Sequence, residues 1–146
     1  MKGGGHATNP GFSSTSGVQI AMSRFNETMV NLSSGTVEVG PGLIWDQVYE
    51  ILESTGVNVV GGRLPGVGVA GLTLGGGEYL RYIERARSDM VIGYSFMSNE
   101  YGLSLDNVAG YELVLPNGTA INVTSKDEDL WFGLRVSSQF NRDWYH

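Results

Sequence analysis

Hydrophobic and polar positions follow short patterns along the chain, and the first of these predict β-strands. Alternation at Val18–Met22 and at Thr36–Val39 is typical of half-buried strands, and the apolar segment Val57–Gly62 predicts another short strand. Residues 1–17 show almost no periodicity, which indicates an extended loop.

One helix has a clear apolar pattern. Ile44, Val48, Ile51 and Leu52 fall at positions i, i+4, i+7 and i+8, which places them on one stripe of a helix. Gly56 follows, and glycine commonly ends helices because it adopts left-handed dihedral angles without strain. The sequence therefore predicts a helix that stops near Gly56.

The last part of the chain predicts a hairpin followed by a helix. The dipeptide Asn117-Gly118 separates two strand patterns and is a strong signal for a tight turn. Ser125 stands three residues before Glu128, the spacing of a capping box, and predicts the start of a short helix. Mixed strands and helices with a prominent hairpin predict an α+β fold rather than repeated βαβ units.

Composition and charge narrow the function classes. The length of 146 residues suits one domain. A net charge of -6 disfavours nucleic acid and anionic lipid as partners, and no apolar segment has the length of a membrane-spanning helix. We therefore expect neither a nucleic-acid nor a membrane partner. The absence of cysteine excludes disulfides and Cys-based metal sites, and two histidines disfavour a histidine-rich metal site.

Four Asn-X-Ser/Thr sequons indicate a parent protein that enters the secretory pathway, where such sites are glycosylated. They lie at Asn26, Asn31, Asn117 and Asn122. The N-terminus carries no signal peptide, since Met1 and Lys2 lead directly into three glycines. We therefore expect a secreted, extracellular parent whose true N-terminus is missing from this sequence.

The segment Gly66–Gly77 contains the spacing G-x-G-x-x-G at Gly66, Gly68 and Gly71, which is that of a Rossmann dinucleotide fingerprint. That fingerprint requires a helix at the glycines, whereas three consecutive glycines at the end of the segment each disfavour one by about 1 kcal/mol. The sequence thus predicts no helix here and disfavours a nicotinamide-dependent Rossmann reductase. This loop and Gly3–Gly5 can instead present successive backbone N–H groups to a phosphate.

Several segments in register resemble a known family. KGGGH at Lys2–His6 resembles the R/K-S-G-G-H motif in the PCMH-type FAD-binding domain of the vanillyl-alcohol oxidase superfamily. Segments 35–77 and 101–135 match the order of the family's later motifs, and most resemble those of fungal berberine-bridge-like and 6-hydroxynicotine-oxidase-like flavoproteins. The resemblance implies a partial α+β FAD-binding domain over residues 1–135.

The resemblance also implies a cofactor and the residues around it. In the family, the residue matching His6 is bonded through its imidazole to the flavin 8α-methyl group, so FAD attached covalently to His6 is expected. Some relatives make a second bond through cysteine at the position of Leu64, so a single bond is implied here. Asp106 matches a segment at the cofactor's other edge. The implied cofactor-binding residues are Gly3, Gly4, Gly5, His6, Pro65, Gly66, Val67, Gly68, Gly71, Asn107 and Val108.

Two segments depart from the family pattern. Residues 77–92 separate the triple glycine from a Y-S…Y-G-L segment that follows it almost directly in the family, and residues 136–146 replace a Gly-Gly and a strand. Both start with residues whose codons can contain the splice-donor sequence GTGAGT. We therefore hypothesise an atypical insert and a non-family tail that are translated introns.

The expected function is that of an FAD-binding fragment of a flavin-dependent oxidoreductase. The parent would transfer a hydride from an alcohol, amine or sugar carbon of a small-molecule substrate to flavin N5 and pass the electrons to oxygen. The family's substrate domain and catalytic base lie outside this chain, so no catalytic residue is assigned. The alternative is a catalytically inactive fragment or mis-spliced product that binds flavin weakly or not at all.

Overall fold

The computed structural model describes residues 1–7, 9–75 and 95–135, and these ranges contain both helices and antiparallel strands. In chain order the elements are β1 (Thr28–Asn31), β2 (Thr36–Val39), α1 (Trp45–Glu53), α2 (Val69–Gly75), α3 (Ser98–Tyr101), a 3-10 helix (Ser104–Asn107), β3 (Tyr111–Val114), β4 (Ala120–Val123) and α4 (Glu128–Arg135). The α+β prediction is confirmed. The proposed insert at 77–92 and tail at 136–146 lie outside the described residues.

The first two strands form an antiparallel hairpin. Thr28 pairs with Val39 at its open end, and the Asn31 side chain accepts N–H bonds from Ser33 and Ser34 in its turn, at 3.1 and 3.3 Å. Because side chains alternate across a strand, Val39 packs on the core while its neighbour Glu38 is exposed. The prediction of β2 is confirmed, whereas β1 was not predicted.

Helix α1 supplies half of the buried residues of the core. Trp45, Val48 and Leu52 are buried, and they pack with Leu43 and with two residues of α2. The helix prediction is confirmed, with a shift in the buried face. Ile51 of the predicted stripe is 42% exposed, whereas Trp45, which was not part of that stripe, is only 6% exposed.

Two predicted strands are not formed within the described ranges. In the first, Val18–Met22, only Ala21 pairs, through a parallel bridge to Lys2. In the second, Val57–Gly62, the backbone at Gly61 and Gly62 lies directly against the Trp45 ring, so that a Cβ on either glycine would overlap it. The apolar character of the second segment therefore reflects packing on α1 rather than strand pairing.

The prediction that no helix begins at the glycine segment is wrong. Helix α2 starts at Val69, directly after Gly68, and its residues Val69 and Leu72 are buried against α1. Burial of such side chains stabilises by about 1.5–3 kcal/mol each. That exceeds the cost of about 1 kcal/mol for the interior residue Gly71.

The C-terminal hairpin is confirmed, and its following helix begins with a different cap. β3 and β4 pair antiparallel around Gly118, whose φ is +85°. The N–H of Thr124 bonds the Asp127 carboxylate at 2.9 Å, so the capping interaction lies one residue before the predicted Ser125–Glu128 pair. Both α4 and the 3-10 helix contact α2, which places them beside the glycine segment. No helix in the described ranges has the length and apolar character needed to cross a membrane.

Candidate functional site

The two glycine-rich loops of the chain are in direct backbone contact. The first loop is Gly3–His6 and the second is Pro65–Gly68. A Cβ built on Gly4 would lie 2.5 Å from the Cα of Gly68, and one built on Gly68 would lie 2.7 Å from the Gly4 nitrogen. Since real Cβ atoms essentially never approach so closely, glycine is required at both positions for the loops to meet.

His6 lies at the exposed end of this contact. Its Cδ2 atom is 3.8 Å from the position that a Cβ would take on Gly66, and the side chain is exposed. Gly66 has φ +77°, a left-handed conformation that favours glycine. The imidazole therefore stands beside the second loop, where a ligand can reach it.

The first loop presents free backbone donors. Gly4, Gly5 and His6 are exposed, and their N–H groups donate to no residue within the described ranges. Gly5 has φ +72°, and the Lys2 Cε atom lies 3.2 Å from the position of an added Cβ on Gly5. Consecutive free amides next to a lysine form a suitable place for an anionic group such as phosphate.

The second loop is anchored to α1 and to the residues before it. Trp45 N donates to Val67 O at 3.0 Å, and Val69 N donates to Leu43 O at 2.9 Å. The Gly66 N–H donates to the Asp46 carboxylate at 2.8 Å. Sequence reasoning missed Asp46, because its partner lies 20 residues further along the chain.

Asn107 is the last residue of the 3-10 helix, and Val108 directly follows it. This helix contacts α2. The Asn107 side-chain nitrogen donates to the carbonyls of Tyr101 and Leu103 at 2.8 and 2.9 Å. It therefore fixes the preceding turn. The adjacent Asp106 accepts the N–H of Leu103 at 3.0 Å and pairs with Arg135 at 3.0 Å.

The structure brings only some of the predicted site residues together. Gly4, His6, Gly66 and Gly68 lie where the two loops meet. Gly3 instead faces the Pro41 carbonyl oxygen, which lies 3.3 Å from the position of an added Cβ. Pro65 is exposed, and Val67 is half-buried against the core. Gly71 lies in α2, where an added Cβ would meet no atom within 4 Å among the described residues, apart from the helix's own backbone and its chain neighbours. No cluster of three or more potential metal ligands occurs among the described residues.

The family model described as "FAD binding domain" matches residues 1–98 of the chain. The chain belongs to this family. The FAD-binding domain is 39% identical over 138 residues to the FAD-dependent monooxygenase yanF of Aspergillus niger. That alignment covers 92% of the chain and 21% of the relative, so the domain spans about a fifth of that protein's length.

Solved structures support the same assignment. The FAD-binding domain matches the BBE-like 1 variant D396N of Physcomitrella patens with a TM-score of 0.63 and 31% identity, over 78% of this chain and 22% of that one. It matches a chitooligosaccharide oxidase with a TM-score of 0.61 and 27% identity, over 77% of this chain and 21% of the other. The resemblance inferred from the sequence motifs is confirmed, and FAD is the cofactor of the family.

The residues of the site fit an FAD molecule. The contact between Gly4 and Gly68 keeps side chains away from the joined loops, and the exposed residues Gly4 and Gly5, whose amides have no partner in the described ranges, suit the negatively charged pyrophosphate. The Gly66 N–H is different, since it is already bound to Asp46. Gly66 is therefore not a free donor, although its left-handed conformation lies beside His6.

Proposed function

We propose that this FAD-binding domain serves an oxidoreductase that removes a hydride from an alcohol, amine or sugar carbon of a small molecule and returns the electrons to oxygen. FAD, when bound, supplies the hydride-accepting and oxygen-reducing chemistry, whereas the protein supplies binding and position. The match to a chitooligosaccharide oxidase supports the oxidase reaction, and the 39% identity with an FAD-dependent monooxygenase supports the wider class of FAD-linked redox chemistry.

The observation that carries the proposal is the contact of Gly4 with Gly68, which leaves the His6 ring exposed beside Gly66. In this arrangement, the amides of Gly4 and Gly5 hold the pyrophosphate, and the backbone around Gly66 and Val67 borders the flavin. His6 is proposed to carry the cofactor covalently through its imidazole. Asn107 and Val108 are proposed to border another edge of the cofactor, which the contact of the 3-10 helix with α2 supports.

Denaturing gel electrophoresis tests the covalent bond between His6 and FAD. After incubation with FAD, we expect the chain to give a fluorescent flavin band that survives denaturation. His6→Ala should remove the band while reversible FAD binding persists. His146→Ala is the matched control, since it removes the other histidine of the chain and should leave the band intact.

Two other results would each contradict one part of the proposal. A band that persists in His6→Ala would show that His6 is not the attachment site. A wild-type chain with a folded circular-dichroism spectrum that takes up no FAD, covalently or reversibly, would contradict the cofactor-binding function and favour an inactive product.

We also propose that the parent protein is secreted. All four sequon asparagines, Asn26, Asn31, Asn117 and Asn122, are exposed, so a glycan can be accommodated at each without unfolding. Endoglycosidase treatment of the protein from its own organism should increase its electrophoretic mobility. Unchanged mobility would contradict the proposal.

The domain assignment 1–135, with an insert at 77–92 and a non-family tail at 136–146, remains a proposal. The family match over residues 1–98 supports its first part. Sequencing of the mature transcript tests the intron hypothesis, which predicts that the codons for both segments are removed by splicing. Their presence in the spliced message would overturn it.

A further inference from the structure

Asp46 makes a hydrogen bond to a residue that lies outside α1 and outside the hydrophobic core. It is the second residue of α1 and is exposed, and its Oδ2 atom accepts the Gly66 N–H at 2.8 Å. The neighbouring bonds, from Trp45 to Val67 and from Val69 to Leu43, join main-chain atoms. Among the described contacts between this part of α1 and the second loop, the Asp46 bond alone can be removed by substitution.

The Gly66 peptide, which Asp46 binds, needs a contact that holds its backbone conformation. Gly66 has φ +77° and lies beside His6, before the main-chain bonds that fix Val67 and Val69. A glycine has more accessible backbone conformations than any other residue, so its position must be held by contacts. A hydrogen bond to an ionised carboxylate is about twice as strong as a neutral one, which suits this role.

We propose that Asp46 is a positioning residue, which holds Gly66 beside His6 in the conformation that receives FAD. The inference rests on the FAD binding of this domain and concerns a residue that would not touch the cofactor itself. Removal of the carboxylate would leave the main-chain bonds at Val67 and at Val69, the first residue of α2, but would free the peptide next to the imidazole.

Three variants of the full chain test this role. Asp46→Ala removes the acceptor, Asp46→Asn keeps an oxygen that can accept the same N–H, and Glu53→Ala removes an exposed carboxylate from the other end of α1. The measurements are hydrogen exchange at the Gly66 amide by NMR in the FAD-free chain, the urea midpoint, and the Kd for FAD by flavin fluorescence, with each chain compared in the His6→Ala background so that binding is reversible. Asp46→Ala should raise both the exchange rate and the Kd by about 10-fold or more.

Asp46→Asn should give an exchange rate and a Kd between those of the wild type and Asp46→Ala, because its neutral amide oxygen accepts a weaker bond, and Glu53→Ala should match the wild type. Equal FAD affinity in Asp46→Ala and the wild type would overturn the proposal while leaving FAD binding intact. A lower urea midpoint in Asp46→Ala with unchanged Gly66 exchange would indicate a merely structural role and would also overturn it. If the wild type binds no FAD, the cofactor function fails and the FAD role of Asp46 falls with it, while the exchange data still show whether Asp46 holds the loop.

Discussion

Gly4 and Gly68 touch through their backbones, so that a Cβ built on Gly68 would lie 2.8 Å from the Cα of Gly4. The contact joins the loop that carries His6 to the loop that precedes α2. The candidate FAD site therefore depends on tertiary packing, because it forms only where the two loops meet.

Alanine at either glycine should therefore separate the loops. We expect Gly4→Ala and Gly68→Ala each to lower the free energy of unfolding by about 1–3 kcal/mol, since the added methyl group meets backbone that cannot rotate away. Both variants should also weaken FAD binding. Urea unfolding followed by circular dichroism, with a parallel FAD titration, measures the two effects.

Gly71→Ala is the matched control. Gly71 lies inside α2, and outside that helix's backbone and its chain neighbours an added Cβ meets no atom within 4 Å in the part of the chain that the structure describes. The substitution should stabilise the chain by about 0.5–1 kcal/mol, because alanine loses less backbone freedom than glycine in a helix. Equal destabilisation by Gly71→Ala and Gly68→Ala would show that the glycine contact has no special role.

The ion pair between Asp106 and Arg135 should contribute little by itself. The two side chains are 46% and 31% exposed, so water screens their attraction, and such pairs contribute about 0.2–1 kcal/mol. Asp106→Ala should cost more than Arg135→Met, because Asp106 also accepts the Leu103 N–H in the turn that precedes Asn107. A double-mutant cycle by urea unfolding measures the coupling, which should shrink at high salt. A larger cost for Arg135→Met than for Asp106→Ala would contradict this order.

Tyr49 should make the stability depend on pH in the alkaline range. Burial raises the pKa of Tyr49 from 10.0 to about 12, and its hydroxyl donates to the Gly62 carbonyl at 2.9 Å. The folded state thus holds the phenol proton more tightly than the unfolded state, so stability should fall as pH rises from about 10 to about 12.

Tyr49→Phe tests this dependence. The variant should be less stable than the wild type below pH 10, by about 0.5–1.5 kcal/mol for the lost hydrogen bond. The difference should narrow as pH rises further. Burial also raises the pKa of Tyr111, so some alkaline loss should remain in the variant. Urea midpoints that fall in parallel for both proteins across this range would contradict the role of Tyr49.

The sequence predicts well those elements that are determined by residues close together in the chain. The spacing of Val48 and Leu52 defines α1, and Asn117-Gly118 defines the β3–β4 turn. Helix α2 was missed because its glycines disfavour a helix locally, whereas burial of Val69 and Leu72 against α1 decides the outcome. That energy depends on a partner distant in sequence.

The same distinction applies to the candidate site. The motifs around His6 and Gly68 could be found from the sequence, because glycines in those patterns resemble a known family. The bond of Asp46 to Gly66 could not be found, since an acidic residue in the first turn of a helix is also explained by the helix dipole. Only the fold shows that this carboxylate reaches the second loop.

FAD binding at the first loop can be tested by titrating the isotopically labelled chain with FAD and following its backbone amide NMR signals. We expect the largest shifts at the exposed residues Gly4, Gly5 and His6, whose amides have no partner in the described ranges, with smaller shifts along Gly66–Gly68. Gly118, in the β3–β4 turn, should not shift. Shifts centred on that turn, or unchanged signals at the first loop when FAD is bound, would show that the first loop is not the FAD site.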